Sequence, residues 1–193
     1  GNELMAGVES PKARYIRESE LNCITPKLIP FVTGHSGGIA APNQALNDCD
    51  LLAIGTMVKS AGDLDVLDLK GNGLLSEKSL VPFLNLLFEQ PITKVSLKNC
   101  LRYTLPPGIK ECLDVVEQLL VEPNGLTRLK SLDLGGIQMG MRSQVRLCQA
   151  IQEHAALTDV CLADTGIGGS MAKQCIAELM SSSSLSVLNL SWN

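Results

Sequence analysis

LDVLDLKGNGL, residues Leu64 to Leu74, decides the fold of this chain. Leucines fall at positions 64, 67 and 69, and Asn72 follows, giving the frame L-x-x-L-x-L-x-x-N. The central L-x-L is a period-2 alternation. It suits a short strand whose leucines turn to one side and whose intervening residues turn to the other.

Working outward, the frame returns as Ile92, Val95, Leu97 and Cys100, then as Leu129, Leu132, Leu134 and Ile137. It continues as Leu157, Val160, Leu162 and Thr165, and closes as Leu185, Leu188, Leu190 and Asn193. A degenerate copy, Ile39, Ala41 and Gln44, stands before them all. Equivalent positions Ile39, Leu67, Val95, Leu132, Val160 and Leu188 are 28, 28, 37, 28 and 28 residues apart, a register that chance does not hold.

Helix-sized amphipathic blocks separate the strands, over about 47–60, 76–90, 108–121, 142–155 and 170–181. Their inward stripes read as Leu52, Gly55 and Val58; Leu80, Phe83 and Leu86; Leu113, Val116 and Leu119; Val145, Cys148 and Ile151; and Ile176 with Leu179. Asn47 and Ser76 are placed to cap two of these helices, and Pro107 and Pro123 bracket the third. A strand–helix unit cannot bury both of its apolar faces alone, whereas stacked copies share a continuous core. The long 37-residue interval adds nine residues, which the stripe assigns to loops, in RYTLPPG (102–108) and near EPNG (122–125).

ARYIRESELNCITPKLIPFV, residues 13–32, departs from the frame. Its apolar pattern and the Thr25–Pro26 start signal predict a helical cap over 13–33 that covers the first unit's edge. Residues 1–12 read as a flexible or tag-derived leader, and 38–193 as five to six repeats. Because Asn193 ends a sixth strand turn before any helix, the natural protein is expected to continue. Gly1 gives a weak myristoylation match, since Ala6 stands where Ser or Thr belongs.

With 45% hydrophobic and 19% charged residues the chain is rich enough in apolar side chains to fold. A net charge of −4 with no basic run argues against nucleic acid. No segment has the apolar length of a membrane span, and the start lacks secretory-signal character, so a cytoplasmic protein is expected. Seven dispersed cysteines contain no CxxC pair, and the two histidines, His35 and His154, lack cysteine at ligand spacing. Reduced, buried thiols and neither metal nor cofactor are therefore expected.

Gly34-His35-Ser36-Gly37-Gly38 satisfies G-x-S-x-G literally. A nucleophile elbow needs a strand before it and a helix after it, yet the first strand follows instead, so the glycines read as a joint between cap and repeats. Cys100 and Cys161 read as structural, His154 as a helix-terminal charge, and Ser181 to Ser184 as a helix stop and turn.

LDVLDLKGNGL, the closing LSVLNLSWN (185–193) and the 28-residue strand–helix period resemble the ribonuclease-inhibitor-like leucine-rich repeats over residues 38–193. That resemblance implies an α/β fold: a right-handed solenoid arc with a concave parallel sheet, convex helices and a helical N-terminal cap. It also implies that the frame's asparagine bonds the turns of adjacent coils. Here that column is Gln44, Asn72, Cys100, Ile137, Thr165 and Asn193, so the ladder is interrupted and the coils near Ile137 are expected to be less fixed.

Members of that family inhibit ribonucleases, activate the GTPase Ran, cap actin, sense ligands in immune receptors, or precede coiled coils at centrosomes and basal bodies. ARYIRESELN with a degenerate first repeat looks most like the last, cytoskeletal group. The expected function is a non-enzymatic protein–protein interaction scaffold, with regulation of a small GTPase or sensing in an intracellular receptor as the alternative. The expected partner is a protein, with no nucleic acid and no membrane. Its surface is the outward strand face, and the candidate contacts are Asp68, Lys70, Lys94, Lys98, Asp133, Asp159 and the neighbouring Trp192, with the 102–108 insertion as a second possibility.

Overall fold

The computed structural model describes residues 9–32, 34, 36–58 and 62–193. The leader residues 1–8, Gly1 among them, and His35 lie outside them. Among the described residues six short strands fall on the repeated frame: β1 (Ile39–Ala40), β2 (Val66–Asp68), β3 (Lys94–Ser96), β4 (Ser131–Asp133), β5 (Asp159–Cys161) and β6 (Val187–Asn189). They form one parallel sheet in chain order, and the register pairs Ile39, Leu67, Val95, Leu132, Val160 and Leu188 in succession. The repeat period of the sequence is thus the spacing of the sheet.

Between strands run α2 (Asp48–Val58), α3 (Glu77–Leu84), α4 (Pro106–Val121), α5 (Met141–Glu153) and α6 (Ala172–Ser181). Helix α1 (Pro11–Leu21) precedes them, and each helix packs on the next, a solenoid-like stack of strand–helix units. Leu67, Leu132 and Val160 point into the layer between sheet and helices and are buried with the helix stripes. Burying each such side chain contributes on the order of 2 kcal/mol.

Local chemistry sets the helix starts. Asn47 Oδ1 accepts from Asp50 N (3.1 Å) while Asp50 Oδ2 accepts from Asn47 N (3.0 Å), a reciprocal cap on α2. Ser76 caps α3 by accepting from Lys78 N, and Asp48 accepts in turn from Ser76 N (2.8 Å) and from both the Ser76 and Ser79 hydroxyls. Burial alone would raise the Asp48 pKa, but these donors and the nearby Lys78 hold it below the usual carboxylate value.

The two asparagines of the repeated column tie neighbouring turns together. Asn72, fully buried, accepts at Oδ1 from Gln44 N (3.1 Å) and Leu46 N (3.0 Å), and donates from Nδ2 to Ala41 O (2.8 Å) and Leu69 O (2.7 Å). Asn193 repeats the pattern two units from the gap, accepting from Thr165 N and Ile167 N. Cys100 reproduces one bond, its Sγ donating to Leu69 O (3.1 Å), and burial pushes this thiol up to about 12. Buried Ile137 makes no such bond, and Gln144 supplies another tie there, donating to Met139 O and Gly166 O (both 2.9 Å).

One position earlier lies a column with positive φ: Asn43, Gly71, Asn99, Gly136, Asp164 and Trp192, between +53° and +78°. Gly, Asn and Asp tolerate this left-handed turn best.

Several expectations are corrected. The thiols are not all buried, since Cys23 and Cys49 are exposed and Cys161 is half-buried. The buried stripe of α2 is Leu51, Ile54 and Val58, while Leu52 is 45% exposed; in α6 it is Cys175 and Leu179, with Ile176 outward. A strict three-residue step precesses around a helix of 3.6 residues per turn, whereas 51, 54 and 58 stay on one side. The cap helix begins at Pro11, behind the Ser10 N-cap, and ends at Leu21, so Lys12 belongs to its first turn. Thr25–Pro26 starts no helix, because Pro30 would obstruct its second turn. Finally, α4 has sixteen residues against eleven in α2, so about five of the nine inserted residues are helix, and Pro106 and Pro107 are its first turn.

Candidate interaction surface

The face of the sheet turned away from the helices carries three rows. Strand register aligns Val66, Lys94, Ser131, Asp159 and Val187 in one, and Asp68, Ser96, Asp133, Cys161 and Asn189 in the next. Lys70, Lys98, Gly135, Ala163 and Ser191 follow in the turns, bridged by Gly71 N to Lys98 O (2.7 Å) and Asn99 N to Gly135 O (2.8 Å).

Asp68, Lys70, Lys94, Asp133 and Asp159 together line a depression of about 370 Å³. Lys98 is not in its lining; it stands in the turn row of the same face, with Cγ 3.5 Å from where a Cβ on Gly135 would stand. Among the described residues no ion pair joins any of these six side chains. The ion pairs sit elsewhere, as in Arg146 of α5 bridging Asp114 (3.2 Å) and Glu117 (2.8 Å) of α4. Trp192 is 89% exposed and lies outside the depression, in the turn column.

Two backbone bonds orient the acidic row: Asp68 Oδ1 accepts from Lys70 N (3.1 Å) and Asp133 Oδ1 from Gly135 N (3.0 Å). Ser96 between them is buried, and its Oγ has no partner among the described residues. Burial and the Asp133 carboxylate push the Cys161 thiol up against the lowering effect of the Ala163 amide, so it stays a neutral thiol at neutral pH.

Sequence reasoning did not single out the Ser96 hydroxyl, while its second possibility, the 102–108 insertion, borders a concavity of about 620 Å³ on the turn side. Arg102, Tyr103 and Leu74 line it with Asn43, Asn99 and Asp164. Arg102 lies 5.9 Å from the Tyr103 ring centroid, and Tyr103 is 72% exposed. The signal was available in RYTLPPG, whose Arg and Tyr are residue types favoured at binding hot spots.

The groups with catalytic appeal are engaged in structure. His154 sits at the C-terminal end of α5, as expected, and is buried there; its Nε2 lies 2.9 Å from Leu126 O and the Ala156 amide lies against Nδ1. Ser36 Oγ bonds Gly38 N (3.0 Å) and Gly38 O (3.1 Å), and no helix follows until Asp48. Gly38 is no loose joint: a Cβ there would meet Asp65 Oδ1 at 2.8 Å and Val66 Cβ at 3.0 Å. Ser184 Oγ donates to His154 O, tying the serine run to the preceding unit.

Among the described residues no helix is long and apolar enough to cross a membrane, and no group of His, Cys, Asp and Glu could hold a metal ion. Comparison with known proteins gave no match, either to a family model or among curated proteins.

Proposed function

We propose that the chain is a leucine-rich-repeat solenoid of the ribonuclease-inhibitor-like type, and that it is a non-enzymatic scaffold holding a protein partner on its open sheet face. The sheet's strand register following the 28-residue period, with Asn72 and Asn193 tying adjacent turns, supports the repeat assignment. The observation that carries the function is the set of six charged side chains on the sheet face, none of which forms an ion pair among the described residues. Charges left unpaired on an ordered surface steer and select a complementary partner. A cytoplasmic, cytoskeleton-associated setting follows from the likeness of the N-terminal segment to centrosomal and basal-body repeat proteins.

The test is the triple variant Lys94→Glu, Lys98→Glu, Asp133→Lys, compared with wild type by proximity labelling in the cells of origin. Loss of a discrete set of labelled proteins, with an unchanged circular dichroism spectrum, is the expected result. An unchanged set removes the sheet face from the proposal.

A further inference from the structure

Ser96 stands on a strand face that bears no helix, yet it is only 4% exposed and its Oγ finds no partner among the described residues. A buried hydroxyl without a bond is costly and uncommon in folded proteins. Its flanking positions in register are Asp68 on β2 and Asp133 on β4. One oxygen of each carboxylate is fixed by its own backbone, and no side chain besides the Cys161 thiol beside Asp133 hydrogen-bonds either one among the described residues. Two aimed anions with an unsatisfied oxygen between them form a receptor for a planar, multiply donating cation.

We propose that this point of the sheet binds an arginine side chain, presented by an extended polypeptide segment with acidic residues beside the arginine. The assignment rests on the reading of the sheet face as a protein-binding surface and names the chemistry that surface selects. Strands two apart in a sheet are separated by about 10 Å. A guanidinium donating to a carboxylate at about 2.9 Å on each edge spans most of that gap, and it has donors left for a hydroxyl in the middle. A lysine ammonium is more compact and reaches one carboxylate at a time. Lys70, Lys94 and Lys98 surround the acidic pair without ion-pairing to it. They repel a bare cation and attract carboxylates, which is why the arginine must have acidic neighbours.

The probe is Ac-Glu-Arg-Glu-NH2, titrated into the whole chain and followed by amide NMR shifts, with Ac-Glu-Lys-Glu-NH2 and Ac-Glu-Gln-Glu-NH2 as comparisons. Saturable shifts centred on Asp68, Ser96 and Asp133 are expected, at least fivefold weaker with lysine and absent with glutamine. The Asp68→Asn, Asp133→Asn double variant should weaken binding tenfold or more. Ser96→Ala should weaken it severalfold while melting at or above the wild-type temperature, which separates a ligand role from a folding role. No saturable shift, an equal response to all three peptides, or binding that survives the double aspartate change overturns the arginine site. If it is overturned while the Lys94, Lys98, Asp133 variant still loses its labelled partners, the scaffold reading stands alone; if those partners persist too, both fall.

Discussion

Replacing Asn72 by alanine removes four hydrogen bonds at once, two accepted from the Gln44 and Leu46 amides and two donated to the Ala41 and Leu69 carbonyls. Asn72 is fully buried, as is Leu46, so water cannot replace the lost partners without opening the turn; Gln44 is exposed and its amide can recover a water. At about 1 kcal/mol net for each bond, and more for an amide left buried and unpaired, the cost is about 3–5 kcal/mol. Cys100→Ala supplies the internal control, since the same position one unit on makes a single S–H bond and should cost about 1–2 kcal/mol, cavity included. Urea unfolding at neutral pH measures both, and unchanged slopes would show that the unfolded surface is the same. Stacked units can also open locally, so hydrogen exchange at Gln44 and Leu46 gives a second reading in which their protection falls first. An Asn72→Ala cost below about 1 kcal/mol, or one no larger than that of Cys100→Ala, would refute the claim that this column holds the turns together.

Asp48→Asn tests the tie between α2 and α3: the native carboxyl's lowered pKa contributes stability above the ordinary value of 3.8, lost as pH falls through the lower folded value. Wild type should therefore lose more stability than the variant between pH 7 and about 3 in parallel urea titrations, and parallel curves would count against the tie. Thiol modification at neutral pH followed by mass spectrometry should label exposed Cys23 and Cys49 first and spare Cys100 and Cys112, whose thiols burial pushes up to about 12. Equal labelling of all four in the native state would show that the core is more open than described. Gly125→Ala would place a Cβ 2.2 Å from the Leu119 carbonyl oxygen, a backbone atom that cannot swing away, and should cost about 2 kcal/mol or more in thermal or urea unfolding. Gly140→Ala meets nothing within 4 Å and should cost less than about 1 kcal/mol; equal costs would refute the packing argument.

Strand positions were legible because the period-2 leucines also carry the interval that becomes sheet register, as Leu67, Val95 and Leu132 show. Asn47 and Ser76 were legible as caps because capping depends on nearby residues. Helix phase was less so: Leu51 and Leu52 are adjacent leucines, and only the neighbouring helices decide which is buried. Pro106-Pro107-Gly108 reads as a loop by composition, yet proline fits a first helical turn, where no intrahelical N–H bond is needed. The charged residues of the candidate surface followed from alternation alone, whereas Ser96 did not stand out. Its burial depends on what flanks it across two strands, and its chemistry is ordinary until Asp68 and Asp133 are seen on either side.

The central claim is that the open sheet face is where a partner sits. A photo-crosslinking amino acid placed at Lys94 or Asn189 on that face, and at Glu111 of α4 or Lys173 of α6 on the helix side, tests it most directly in the cells of origin. Discrete protein adducts from positions 94 and 189, with none from 111 and 173, are the expected result. Adducts from the helix positions alone would move the working surface to the other side of the stack and contradict the claim.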